Sequence, residues 1–163
     1  MVSEPADVTT IEIKILSRGG KTAQAPQYKT SGAAAADLSA FLEADAVIPP
    51  GQIRMIPTGI CIAVPQGLAA LVLARSGLAL KQGICLANGV GLIDSDYRGE
   101  IQVGLLNTSI ETFVVRDGDR IAQLMLTPAP MAVFCVKEEL SETERGSGGF
   151  GSTGVSLTPK EGT

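Results

Sequence analysis

The sequence predicts an all-β fold, a jelly roll or distorted barrel of short strands with one short helix and a flexible glycine-rich C-terminal arm. Three observations carry that expectation. Short apolar runs recur along the chain, the clearest alternating apolar and polar residues with the period of two of a half-buried strand. Turn-forming residues punctuate them at Pro49-Pro50-Gly51, Pro57, Pro65-Gln66-Gly67, Asp117-Gly118 and Pro128. After Val136 the composition turns first to charge and then to Gly, Ser and Thr, with no apolar face left to bury.

Taken in order, Ile11-Glu12-Ile13-Lys14-Ile15 is the first strand, half-buried by its alternation. Further strands are expected at 60–64, 71–73, 101–105, 113–115, 121–126 and 131–134. Only residues 76–82 read as helical, with Ser76 placed as a possible N-cap. Leu92-Ile93 leads into a polar turn and Ile101-Gln102-Val103 leads out, so this segment reads as a β-hairpin. The organisation is one β domain, residues 1–136, followed by the arm, residues 137–163, whose last ~20 residues should be mobile when nothing is bound.

Composition excludes several classes of chemistry. A chain of 163 residues suits one domain with a core of useful size. Its net charge of −4, with no Lys/Arg cluster, provides no groove for a nucleic-acid backbone. There is no histidine, hence no His base, His ligand or Ser-His triad. Cys61, Cys85 and Cys135 lack metal-ligand spacing and lie in apolar runs, which reads as reduced core thiols of a cytosolic protein. The N-terminus lacks the basic-then-apolar pattern of a signal peptide. No apolar run approaches the roughly 20 residues of a membrane helix, so neither membrane nor nucleic acid is an expected partner.

Several segments carry candidate chemistry. In Asn88 to Gly99, the acid Asp94 and the ring of Tyr97 suit a small-molecule pocket, the acid orienting a water; a solvated turn is the simpler alternative. Arg75-Ser76-Gly77, where a strand meets the helix, combines a guanidinium, a hydroxyl and backbone amides suited to phosphate, or is an ordinary helix cap. Arg145-Gly146-Ser147-Gly148-Gly149-Phe150-Gly151-Ser152-Thr153-Gly154 resembles a phosphate-cradling loop without a Walker ending. A linker is the alternative, although Phe150 among glycines invites stacking. Asp37, amid small residues, is most simply a turn or structural acid. Gln123, inside an apolar strand, is a half-exposed position or a phosphate donor.

Five segments in order resemble the five motifs of the trimeric dUTP pyrophosphatases (dUTPases). They are Ala35-Ala36-Asp37-Leu38, Arg75-Ser76-Gly77-Leu78-Ala79, Gly91-Leu92-Ile93-Asp94-Ser95-Asp96-Tyr97-Arg98-Gly99, Gly118-Asp119-Arg120-Ile121-Ala122-Gln123-Leu124 and the Arg145 to Gly154 run. The likeness covers about residues 29–154. Ala74 stands where the family usually has proline, and Ala36 where a Gly-Tyr or similar pair is common.

The resemblance implies hydrolysis of dUTP to dUMP and pyrophosphate, limiting uracil in DNA and supplying dUMP for thymidylate synthesis. By that likeness Asp94 is the general base for water attack on the α-phosphorus, and Tyr97 packs on deoxyribose. Asn88, Leu92, Ile93 and Gln102 read uracil, while Arg75, Ser76, Gly77 and Gln123 hold phosphates. Arg145, Gly151, Ser152 and Thr153 close over the γ end, and Phe150 stacks on the base. Magnesium arrives on the triphosphate and meets the protein only through water at Asp37. The likeness also implies a cytoplasmic homotrimer with active sites shared between subunits. The related dCTP deaminases, and a nucleotide sensor without turnover, are the rival readings; the Asp94 to Tyr97 segment and the glycine arm favour the hydrolase.

Overall fold

In the computed structural model, residues 9–149 are described. The chain divides into two compact units, the first ending at Met131 and the second beginning at Ala132. The first contains β1 (Glu12–Ile15), β2 (Ser17–Arg18), β3 (Lys21–Thr22), β4 (Ala36–Ser39), β5 (Ala46–Ile48), β6 (Ile53–Ala63), β7 (Leu68–Ala74), α1 (Ser76–Gln82), β8 (Ile84–Leu86), β9 (Gly91–Ile93), β10 (Glu100–Asn107), β11 (Phe113–Val115) and β12 (Arg120–Pro128). They form two four-stranded sheets, β1-β6-β10-β8 and β4-β12-β7-β9, and two ribbons, β11-β5 and β2-β3. Every recorded ladder is antiparallel, and among the described residues none closes the sheets into a barrel.

One apolar core joins them. Ile56, Ile60, Ile62, Val103 and Leu105 come from the first sheet, Leu38, Ala70, Val72 and Ala122 from the second, and Ile48 and Val115 from a ribbon. The alternation in β10 shows why. Ile101, Val103, Leu105 and Asn107 are buried while the residues between them are not. Asn107 is tolerated in the core because its amide is fully used. It donates to Ile48 O (2.8 Å) and Glu111 O (2.7 Å), and accepts from Ser109 N (2.9 Å) and Ser109 Oγ (2.8 Å).

The structure corrects several expectations. Residues 91–103 are not a hairpin: β9 pairs with β7 in the second sheet, and β10 with β6 and β8 in the first. The polar turn therefore carries the chain from one sheet to the other, and the flanking strands diverge. Residues 131–134 form no strand, and Met131, Val133 and Phe134 are strongly exposed, an apolar run left uncovered among the described residues. Pro57 breaks nothing. It lies inside β6 opposite Gln102, where the ladder shifts register and no amide is needed, and its carbonyl accepts from Phe41 N (2.8 Å). Ser76 is not the N-cap; Arg75 holds that position, with no side-chain capping bond. β1 is less buried than its alternation suggests, because it is an edge strand covered only by β6. Cys135 is exposed rather than a core thiol, and Cys61 and Cys85 are half-buried.

Candidate active site

The divergence of β9 and β10 opens a cavity of about 220 Å³ between the two sheets. Its lining includes Asn88, Leu92, Ile93, Asp94, Tyr97 and Gln102, six of the residues expected to bind or transform substrate, with Val72 and Val103 beside them. Both walls present free backbone. β9 is the edge of its sheet, so the amides and carbonyls facing away from β7 have no ladder partner. Along β10, β8 covers only Leu105 to Asn107, which leaves the open side of Gln102 and Val103 toward the cavity. A slot with exposed donors and acceptors on two stiff strands suits a flat heterocycle with a polar edge.

The turn between the walls is pinned by its own side chains. Tyr97 Oη donates to Glu100 O (2.9 Å), and Tyr97 N donates to Asp94 O (3.2 Å). Arg98 Nη1 donates to Ser95 O (2.7 Å) and Tyr97 O (2.8 Å). Gly99 is required here, since a Cβ would fall within 3.0 Å of the Tyr97 phenol. Tyr97 thus stands at the cavity lip, partly exposed and held at both ends. The exposed Asp94 carboxylate takes no hydrogen bond or ion pair among the described residues, so both oxygens are free to orient a water.

A second group lies on β4, β7 and β12. Register places Asp37 beside Gln123, and Gln123 beside Leu73, on one face of the sheet. Asp37 is buried, and its carboxylate meets Arg120 Nη1 (2.8 Å), Gln123 Nε2 (3.2 Å) and Arg75 Nε (3.4 Å). Burial pushes the Asp37 carboxyl up, but hydrogen bonds from Arg120 and Gln123 and the charges of Arg75 and Arg120 outweigh it. Its pKa is held below the ordinary value. Arg75 Nη1 donates to Arg120 O (3.0 Å), while its buried Nε has no hydrogen-bond acceptor. Two guanidiniums against one carboxylate leave this corner net positive. The exposed Ser76 and Gly77 begin α1 beside it, with first-turn amides that no side chain caps.

Of the two simple readings of Asp37, the turn is excluded, since it lies in β4; it is a structural acid, the buried hub of this cluster. Arg120 was quoted within a motif but given no role; an acid in an apolar strand needing a cation was the available signal. As for a metal, the described residues contain no group of three or more Cys, Asp or Glu able to hold one. A carboxylate offers about four lone-pair sites. Three cationic or amide donors already face that of Asp37, so it suits at most a water of a hydrated cation.

The two groups line different cavities. Asp94 and Tyr97 face the slot between the sheets. Arg75 faces a cavity of about 400 Å³ with Leu78, Phe113 and Arg116, and Asp37 one of about 240 Å³ with Gln27 and Lys29; Arg120 reaches both. In the second unit, Arg145 Nε donates to Gly148 O (2.8 Å), and Gly148 N to Arg145 O (3.1 Å), a tight local turn. Phe150, Gly151, Ser152 and Thr153 lie outside the described residues.

Comparison with known proteins is consistent across sequence and fold. The dUTPase family model matches residues 21–154. A deoxyuridine 5′-triphosphate nucleotidohydrolase of Desulfitobacterium hafniense is 54% identical over 151 residues, covering 91% of this chain and 100% of the relative. That of Chlamydia pneumoniae is 52% identical over 142 residues, 86% and 96% of the two chains. Among solved structures, a dUTPase variant of Staphylococcus bacteriophage 80alpha with dUpNHpp superposes with a TM-score of 0.82 at 24% identity, over 91% of this chain and 100% of that one. A phage phi11 dUTPase variant, described with a structural Mg(II) ion, gives 0.73 at 21% identity over 82% and 100%.

Proposed function

The chain belongs to the dUTPase family, and we propose that it hydrolyses dUTP with the slot between its sheets as the nucleoside site and Asp94 as the base. The observation that carries this reading is the cavity itself, which gathers an unpaired carboxylate, a pinned tyrosine and free strand edges around one slot. The reaction converts dUTP and water to dUMP and pyrophosphate, limiting uracil in DNA and supplying dUMP for thymidylate synthesis.

Asp94 orients a water and accepts its proton as the oxygen bonds to the α-phosphorus, while the bond to the bridging oxygen breaks and pyrophosphate leaves. In a sequence without histidine, a free carboxylate is the natural base. The backbone of Leu92, Ile93 and Gln102, with Asn88, pairs with the uracil edge, all four lining the slot. Tyr97 lies along the deoxyribose and leaves a 2′-hydroxyl no partner, at a cost of about 1–3 kcal/mol to a ribonucleotide. Arg75, Ser76, Gly77 and Gln123 hold the phosphates, and contacts to Asp37 fix the Arg75 and Gln123 side chains. Arg145, with Phe150, Gly151, Ser152 and Thr153, completes the site over the γ-phosphate and base. Asp37 would hold a water of a hydrated magnesium ion carried on the triphosphate, which would supply charge neutralisation.

The dUTPase likeness implies a homotrimer whose working sites are assembled from different subunits, and the separate cavities lined by Asp94 and Arg75 support that reading. Unit surfaces support assembly: Ile13 and Ile15 are 40% and 39% exposed on an edge strand, and Met131, Val133, Phe134 and Val136 each exceed 90%. We place the protein in the cytoplasm, on the strength of its three free cysteines. No helix among the described residues is long and apolar enough to cross a membrane.

The test is pyrophosphate release from dUTP, UTP, dTTP and dCTP under identical conditions. Turnover confined largely to dUTP is expected; comparable rates with UTP would remove the role given to Tyr97, and ammonia release from dCTP would point to a deaminase.

A further inference from the structure

Glu100 follows Gly99 at the start of β10, and nothing so far has used its side chain. That carboxylate is mostly buried and doubly engaged. Oε1 accepts from Gly59 N (2.7 Å), and Oε2 accepts from Arg18 Nη2. Arg18, on the β2-β3 ribbon, lays its guanidinium 5.5 Å from the centre of the Phe41 ring. The contacts fall where the β10-β6 ladder slips, between Glu100 facing Cys61 and Gln102 facing Pro57. Thr58 Oγ1 closes the same gap by donating to Ile101 O (2.7 Å). A slipped ladder leaves its strand free to shift unless something fixes it. Here the Glu100 side chain fixes it, and the Glu100 carbonyl is the acceptor for Tyr97 Oη.

We propose that Glu100 is a positioning residue for sugar discrimination: clamped by Gly59 and Arg18, it holds in place the carbonyl that anchors the Tyr97 ring over the substrate deoxyribose. Selectivity at the lip of the slot then depends on a ribbon some eighty residues away in sequence, through contacts that never reach the nucleotide. This rests on the reading of Tyr97 as the ring facing the sugar.

The experiment compares kcat and KM for dUTP and UTP in Glu100→Ala, Glu100→Gln and Arg18→Ala, each in the wild-type and Tyr97→Phe backgrounds, with Tyr97→Ala as reference. Loss of one tether of ordinary strength predicts that Glu100→Ala lowers the dUTP:UTP ratio of kcat/KM roughly fivefold, mainly through KM for dUTP. Glu100→Gln, which keeps an acceptor for Gly59 N–H, restores most of the ratio. In the Tyr97→Phe background the tether is already gone, so Glu100→Ala changes the ratio less than about twofold. If Glu100→Ala does not fold, Arg18→Ala carries the same comparison. An equal loss in both backgrounds, or an unchanged ratio in Glu100→Ala while Tyr97→Ala alters it, overturns the proposal and spares the role of Tyr97. An unchanged ratio in Tyr97→Ala overturns both.

Discussion

The two carboxylates of the candidate sites, Asp94 and Asp37, have opposite surroundings. Asp94 is exposed with no partner among the described residues, whereas Asp37 is buried against two guanidiniums and an amide. Asp94→Asn keeps the shape and removes the base, so kcat falls at least about a hundredfold with KM within a few-fold, measured by steady-state pyrophosphate release. Asp37→Asn weakens the ion pairs and costs about 1–3 kcal/mol by denaturant unfolding, a range that allows for the partial exposure of Arg120. Because the folded pKa of Asp37 lies below its unfolded value, its stabilisation is fully present above about pH 4 and is lost as pH falls through the folded pKa. Wild type should therefore lose part of its advantage over Asp37→Asn on acidification, seen as converging melting temperatures; a gap constant down to pH 3 contradicts this. That Asp94 and Tyr97 share one cavity was legible in sequence, because an acid and a ring stand on the same short polar turn. Glu100 and Arg120 were not, because their partners Arg18 and Asp37 lie 82 and 83 residues away.

At the scale of elements, strands rich in Ile, Leu and Val were readable, and α1 was placed with its observed bounds. The strands that escaped notice are β2, β3, β4, β5 and β8, only two to four residues each, with β4 carrying an acid and a serine. Local pattern could not show that β9 and β10 belong to different sheets. A hairpin and a crossing between sheets share the same turn chemistry, and the choice is made by β7 and β6 competing for the edges. That competition creates the slot. The β6 side of the Glu100 clamp depends on Gly59, whose φ is +70° and whose Cβ would collide with Ala23 and Phe41. Gly59→Ala should cost about 2–4 kcal/mol from crowding plus backbone strain. Gly51→Ala, at φ +72° with open space around it, should cost about 1 kcal/mol. Equal unfolding midpoints for the two variants contradict the crowding argument.

For the whole molecule, Asp94 and Arg75 line separate cavities, which is what the proposed sharing of each site between subunits requires. The exposed isoleucines of β1 and the apolar run from Met131 to Val136 give the chain surface on which to find a neighbour. The most direct measurement co-refolds equal amounts of Asp94→Asn and Arg75→Ala, each inactive by itself, and assays dUTP hydrolysis by the trimer fraction. If Asp94 of one subunit works with Arg75 of the next, every mixed trimer contains one intact site of three. Random assembly then recovers about a quarter of wild-type activity. If both residues of a site come from one chain, no combination restores it, and a mixture as inactive as its parents contradicts the shared site.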